Sequence, residues 1–339
     1  KERGSNLSRA KTKTKTKKSV FLKVFLIILL VLLIIFGGIV AAGYWYITDK
    51  LGKVDYDAEL TAEDIEVNTG VEEQLSGYRN IALFGLDART DTFSGSRSDC
   101  IIIVSINEQT KDVRLLSIYR DTYLEVEDDL TKITHAYAYG GPQLALSSIN
   151  KNLDLNITEY VTVNFDTVKT VVDAIGGIKM QLTSAEATQV PGISSAGTYT
   201  LNGEQALAFA RIRKIDSDYK RTERMRDVLT AVFEKAQTLS IGELNSLADT
   251  VLPHIRTNIS TGEILALIPD VMSYHVGESY GWPYVTKGIT LDLWYGVPVT
   301  LEENVKRLHK ELFGEENYEP SDTVKRISNK IIKKTGYDL

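Results

Sequence analysis

What this sequence has little of narrows its reading first. One cysteine and four histidines among 339 residues exclude a disulfide framework and a zinc ribbon. The lone Cys100 sits inside the apolar run "CIIIVSI" and reads as a small buried hydrophobe. There is no serine elbow and no paired cysteine and histidine, so the chain offers no nucleophile of its own. No internal repeat is legible. Charge is missing from residues 24–42, "VFLIILLVLLIIFGGIVAA", which at 1.5 Å per residue extend about 29 Å, close to a bilayer's hydrocarbon thickness.

The remaining composition, 43% hydrophobic and 25% charged, is ordinary for a globular protein, and the length suits two domains or one large one. Charge is unevenly spread. Residues 1–18 hold eight Lys/Arg against one acid, Glu2, so a tail of +7 precedes a body of −13 within a net −6. A Lys-rich flank before the apolar run places the tail in the cytoplasm and residues 49–339 outside, with Tyr44, Trp45 and Tyr46 at the far interface. A cleaved signal peptide is the rival reading, since residues 40–42 are small, but the apolar region is unusually long for one. The tail offers no reading helix, so no nucleic-acid partner is expected.

Residues 49–77 are polar and acidic and read as a stalk. From Asn80 the short apolar runs "NIALFGL", "CIIIVSIN" and "VRLLSIY" read as buried strands. Helices are expected at "GGPQLALSSINKNL", at "DTVKTVVDAIG" with Asp166 as N-cap, at "NGEQALAFA" and from Thr222 onward. "EYVTVNF" and "GIKMQL" read as further strands, and "ARIR" alternates like one. Strands alternating with helices imply a sheet covered on both faces. Residues beyond about 318 read as a detachable amphipathic helix.

Polar residues gather at the ends of these runs. Asp87 ends one strand and Asp99 begins the next, so pairing would bring both carboxylates to one sheet end. The loop between adds Arg89 and Arg97, and "YRD" delivers Arg120 and Asp121. "RIRKIDSDYKRTERMR", residues 211–226, packs seven basic residues into an acidic body. Arg211 and Arg213 lie two apart, on one side of the expected strand, and Arg221 and Arg224 three apart on one helical face. Pairing with Asp216, Asp218 and Glu223 on a solvated surface is the plain alternative. Two aspartates suit Mg²⁺, and several arginines suit a multiply charged phosphate, so the set describes a pyrophosphate site with a metal.

These residues resemble the LytR-CpsA-Psr family of membrane-anchored phosphotransferases. The resemblance rests on "LFGLDAR", "SRSDCIIIVSIN", "LLSIYRDTYLEV", "KITHAYAYGG", "VDAIGG", "LNGEQALAFARIR" and "DYKRTERMR", in family order across residues 80–236. It implies an α/β fold, an α-β-α sandwich with a mostly buried mixed sheet, preceded by one transmembrane helix. The expected organisation is a basic cytoplasmic tail at 1–23, a transmembrane helix at 24–46, an extracellular stalk at 47–77, the catalytic domain at 78–317 and a C-terminal tail at 318–339. The implied activity moves a glycopolymer, a teichoic acid or capsular or secondary wall polysaccharide, from a polyprenyl-pyrophosphate carrier to peptidoglycan, with the lipid tails in an apolar tunnel. Asp87 and Asp99 would hold Mg²⁺, with Mn²⁺ as the substitute. Arg89, Arg97, Arg120, Arg211, Arg213, Arg221 and Arg224 would hold phosphates. Arg120, Arg221 and Asp218 would join the aspartate pair in catalysis. Three positions depart from the family pattern: Tyr119 stands for a common proline, His135 for an asparagine, and Met225 for a phosphate-contacting glutamine. A lipid-pyrophosphate hydrolase and a non-catalytic binder of lipid-linked polymer are the competing functions.

Overall fold

The chain divides into two units, residues 1–51 and 52–339. The computed structural model describes residues 55–86, 93, 95–260, 263 and 273–338, all in the second unit. The expected tail at 1–23 and membrane helix at 24–46 therefore lie outside the described residues, as do Asp87 and Arg89. Among the described residues no helix is long and apolar enough to cross a membrane.

The centre of the second unit is a seven-stranded mixed sheet. Its strands are β1 (Asp55–Tyr56), β2 (Tyr78–Leu86), β3 (Ser98–Asn107), β4 (Asp112–Ile118), β7 (Glu159–Asn164), β10 (Arg256–Thr257) and β11 (His275–Trp282), in the order β1-β10-β7-β2-β3-β4-β11. β2 runs antiparallel to β3 and parallel to β7, so both kinds of ladder meet on one strand. Three hairpins stand outside it: β5 (Tyr123–Val126) with β6 (Asp129–Lys132), β8 (Ile178–Leu182) with β9 (Gly197–Leu201), and β12 (Thr286–Thr290) with β13 (Trp294–Pro298). "GIKMQL" is thus a strand, as its pattern predicts, but of a separate hairpin.

Side chains alternate across a strand, and the two faces of β2 and β3 are both buried. Ala82, Phe84, Leu86, Ile101 and Ile103 pack against α1 (Thr134–Leu153), α6 (Leu301–Phe313) and α7 (Asp322–Thr335). Ile81, Leu83 and Ile102 face the other way, toward Leu229 and Phe233 of α4 (Asp218–Ala236). A further apolar cluster joins α2 (Phe165–Ala174), β8, β9 and α3 (Gly203–Ala210) to α4. The last helix of that side, α5 (Ile241–Val251), rests on α2. The result is helix–sheet–helix layering.

Two expected boundaries differ. The segment read as a stalk contributes Ile65, Val71 and Leu75 to the core, and β1 pairs with β10, so the unit is continuous back to Asp55. Its polarity reflects one exposed side of short elements rather than an unpacked linker. Likewise α7 is no detachable tail: Val324, Ile327 and Ile331 are buried against the sheet face. Its apolar stripe is amphipathic because it docks.

Candidate functional site

β2 and β3 deliver the first polar groups. Leu86 pairs with Ser98, which fixes the sheet end where Asp99 emerges and where residue 87 follows. A Cβ on Gly85 would lie 2.9 Å from the Cβ of Cys100, so the two strands approach closely there only because residue 85 has no side chain. Arg120, just past β4, donates from Nη1 to Asp99 Oδ1 at 2.5 Å. Asp121 lies 3.6 Å from Arg120 Nε and 2.7 Å from Lys132 Nζ.

The second contribution comes from 203–226. Asn202 caps α3, accepting from Gln205 N at 2.9 Å while Gln205 Oε1 accepts from Asn202 N. The capping box carries the helix through Ala210, and Arg211 is its C-cap. "ARIR" is therefore a helix end and turn, not a strand: four alternating residues are too few to outweigh a helix already nucleated upstream. The turn still brings Arg211 and Arg213 to one place, and a cation at a helix C-terminus is favoured by the dipole. Arg211 also lies over the Phe165 ring, 5.0 Å from its centroid. Phe165 opens α2, whose N-cap is Asn164 accepting from Thr167 N at 2.7 Å, rather than the expected Asp166. Ser217 caps α4, and Arg221 lies in its first turn.

These pieces enclose a cleft of about 580 Å³ lined by Arg97, Arg120, Arg211, Arg213, Arg221 and Asp99, with Gly95, Ser96, Phe165 and Met225. Five arginines against one carboxylate, among the described residues, give it a strongly cationic lining. Arg224 is not among its lining. It is gripped by Glu186 at 2.8 Å and by Asp216, buried away from the cleft, so the expected phosphate role is replaced by an internal ion pair. The sixty-degree divergence of residues three apart on a helix is enough to separate Arg221 from Arg224. Asp218 begins α4, and its side chain lies outside what is described.

Beside the cleft lies a second cavity of about 260 Å³, lined by apolar groups that include Leu83, Ile102, Val168, Leu207 and Leu229. Phe165 and Met225 line both spaces. Met225 thus occupies the junction of charged and apolar compartments, which gives the departure from glutamine a packing role. Cys100 lines the apolar cavity, where loss of solvation pushes its thiol up to about 12, consistent with an inert hydrophobe. His135 is held by Thr131 Oγ1 at 2.9 Å from its Nδ1; burial and then the nearby Arg97 and Lys132 charges lower its pKa. Among the described residues no cluster of three or more His, Cys, Asp or Glu could hold a metal; Asp99 is the one described carboxylate on the cleft. Sequence reasoning missed Ser96 and Phe165, whose only signals were a loop position and a helix N-terminus.

Known proteins resemble this chain in sequence and in fold. Residues 44–276 match the sequence model of the LytR_cpsA_psr family. The polyisoprenyl-teichoic acid–peptidoglycan teichoic acid transferase TagT of Bacillus subtilis (strain 168) is 33% identical over 225 residues, 62% of this chain and 70% of that protein. The solved structure of TagT bound to LIIa-WTA has a TM-score of 0.62 and 26% identity, covering 77% of this chain and 98% of that one. TagT with bound octaprenyl pyrophosphate lipid has a TM-score of 0.57 and 25% identity over 76% of this chain and 99% of that one.

Proposed function

The chain belongs to the LytR-CpsA-Psr family, and from that premise we propose that it transfers a glycopolymer from a polyprenyl-pyrophosphate carrier to a peptidoglycan hydroxyl. The observation that carries this reading is the adjacency of the arginine-lined cleft and the apolar cavity through Phe165 and Met225. A ligand with a doubly charged head and a long apolar tail matches that pair of spaces. The names of the relatives support the same class of reaction.

In this reading Arg97, Arg120, Arg211, Arg213 and Arg221 neutralise and orient the pyrophosphate, the main demand of phosphoryl-type transfer. The acceptor oxygen attacks the phosphorus that bears the polymer. The bond from that phosphorus to the bridging oxygen breaks, and polyprenyl phosphate leaves with the electron pair. The hydroxyl proton passes to a carboxylate, Asp218 or Asp121. Asp99, with Asp87, would hold Mg²⁺ or Mn²⁺; the acidic oxygen set suits such a cation, which would supply further charge neutralisation. The apolar run at residues 24–42 would anchor the chain as a single pass, with the tail cytoplasmic and the transferase unit on the outer face.

The test is product analysis with purified full-length protein, a lipid-pyrophosphate-linked polymer, and peptidoglycan present or absent. The expected product is a polymer–peptidoglycan phosphodiester that needs the acceptor and disappears with chelator. Equal release of polymer phosphate with and without acceptor would make the protein a hydrolase, and binding without turnover would make it a carrier.

A further inference from the structure

A second groove, of about 240 Å³, is lined by the chain neighbours of Arg120. Arg120 lines the basic cleft, while its neighbours Tyr119 and Asp121 line this groove, together with Thr122, Ser217, Tyr219 and Trp294. No lysine or arginine lines it among the described residues. The Tyr119 and Tyr219 rings meet at 4.4 Å between centroids. Trp294 is 47% exposed, and its indole packs over Gly288 of the paired strand, where a Cβ would lie 3.0 Å from its Nε1. Gly296 forms the floor: a Cβ there would project toward Thr286 Oγ1 at 3.4 Å, the Trp294 ring at 3.7 Å and the Tyr219 hydroxyl at 3.8 Å. Thr286 Oγ1 is buried and has no hydrogen-bond partner among the described residues. The β12–β13 hairpin is also fastened to the reacting loop, since Gly296 N donates to Asp121 O at 3.0 Å.

We infer that this groove binds a saccharide ring of the acceptor glycan and presents its hydroxyl beside Asp121. Rigid aromatic faces suit the C–H faces of a pyranose, and Asp121, Thr122, Ser217 and Thr286 supply polar edges for its hydroxyls. Among the described residues no cation lines the groove, and the nearest, Lys132 and Arg120, are already paired with Asp121, which disfavours a phosphate-bearing occupant. Position selects the acceptor over the donor. The apolar cavity shares Phe165 and Met225 with the cleft but shares no lining residue with the groove. In-line displacement needs the attacking oxygen opposite the leaving lipid phosphate; the apolar cavity meets the cleft at Phe165 and Met225, whereas the groove is lined by Tyr119 and Asp121, the chain neighbours of Arg120. Tyr119 is one of this chain's departures from the family pattern, and the hairpin at 286–298 lies beyond the residues that match the family.

The inference rests on the transferase reading, so binding and turnover are measured separately on the full chain in detergent. Calorimetry with a soluble tetrasaccharide of alternating N-acetylglucosamine and N-acetylmuramic acid reads the groove directly. Trp294→Ala is expected to weaken that binding roughly tenfold or more, and Gly296→Val, which fills the groove from its floor, to abolish it. Affinity for polyprenyl pyrophosphate should be unchanged in both. In transfer assays Trp294→Ala should raise the KM for the tetrasaccharide and leave that for the lipid-linked donor. Wild-type protein that binds the tetrasaccharide but transfers nothing would sink the transferase reading and leave the groove. Absence of tetrasaccharide binding by the wild type, wild-type affinity in both variants, or a rise confined to the donor KM would each overturn the inference.

Discussion

The guanidinium of Arg213 is exposed on the cleft, whereas that of Arg224 is buried between Glu186 and Asp216. Desolvation would lower the Arg224 pKa, but hydrogen bonds from it to Asp216 and Glu186 more than offset this and raise it. Arg224 is therefore a fixed cation of the scaffold. Arg224→Ala would leave both carboxylates without their cation, a loss of about 3 kcal/mol, which for a unit this size lowers Tm by several degrees. Arg213→Ala should leave Tm unchanged. Thermal unfolding of the two variants side by side checks this, and equal losses would contradict the assignment. The pairing with Asp216 was the plain alternative in the sequence, but nothing in "RTERMR" foretold Glu186, which reaches Arg224 at 2.8 Å from thirty-eight positions away.

Elements were legible where their pattern was long and local. The strands at 80–86, 100–107 and 113–119 showed as short apolar runs and the helix from Thr222 as a helical period, and the structure forms β2, β3, β4 and α4 there. "ARIR" failed because a helix nucleated at Asn202 overrode four alternating residues. The segment at 322–335 has a clear apolar stripe, but sequence cannot say what covers it. The structure answers with the α1–α6–β5 face and with Glu125, buried at 1% exposure. Burial would raise the pKa of Glu125, but hydrogen bonds from Arg326, Lys330 and Lys151 lower it to about 2 from 4.5. A depressed folded pKa contributes stability that is complete above the unfolded value and is lost as pH falls from about 4.5 toward 2. Protection of the α7 amides, relative to intrinsic exchange, should fall across that window, and Glu125→Gln should remove most of the acid dependence. Protection that stays flat between pH 5 and 3 would show that this ion network does not hold α7.

At the scale of the molecule, the described residues form three unlike spaces: an arginine-lined cleft, an apolar cavity that meets it at Phe165 and Met225, and an aromatic groove lined by Tyr119 and Asp121, the chain neighbours of Arg120. The sequence announced the first through its charge, implied the second only through family resemblance, and concealed the third, since Tyr119, Tyr219 and Trp294 are far apart in the chain. The claim on which the account depends is that the arginines converge on one pyrophosphate. Its most direct measurement is the affinity of Arg213→Ala and Lys214→Ala for a polyprenyl pyrophosphate and for the matching polyprenyl alcohol. Lys214 neighbours Arg213 but does not line the cleft. A charge-assisted hydrogen bond contributes about 1.5–3 kcal/mol, so Arg213→Ala should weaken pyrophosphate binding roughly ten- to a hundredfold, with alcohol binding unchanged and Lys214→Ala close to wild type. Equal losses in the two variants would mean a diffuse basic surface and contradict the account.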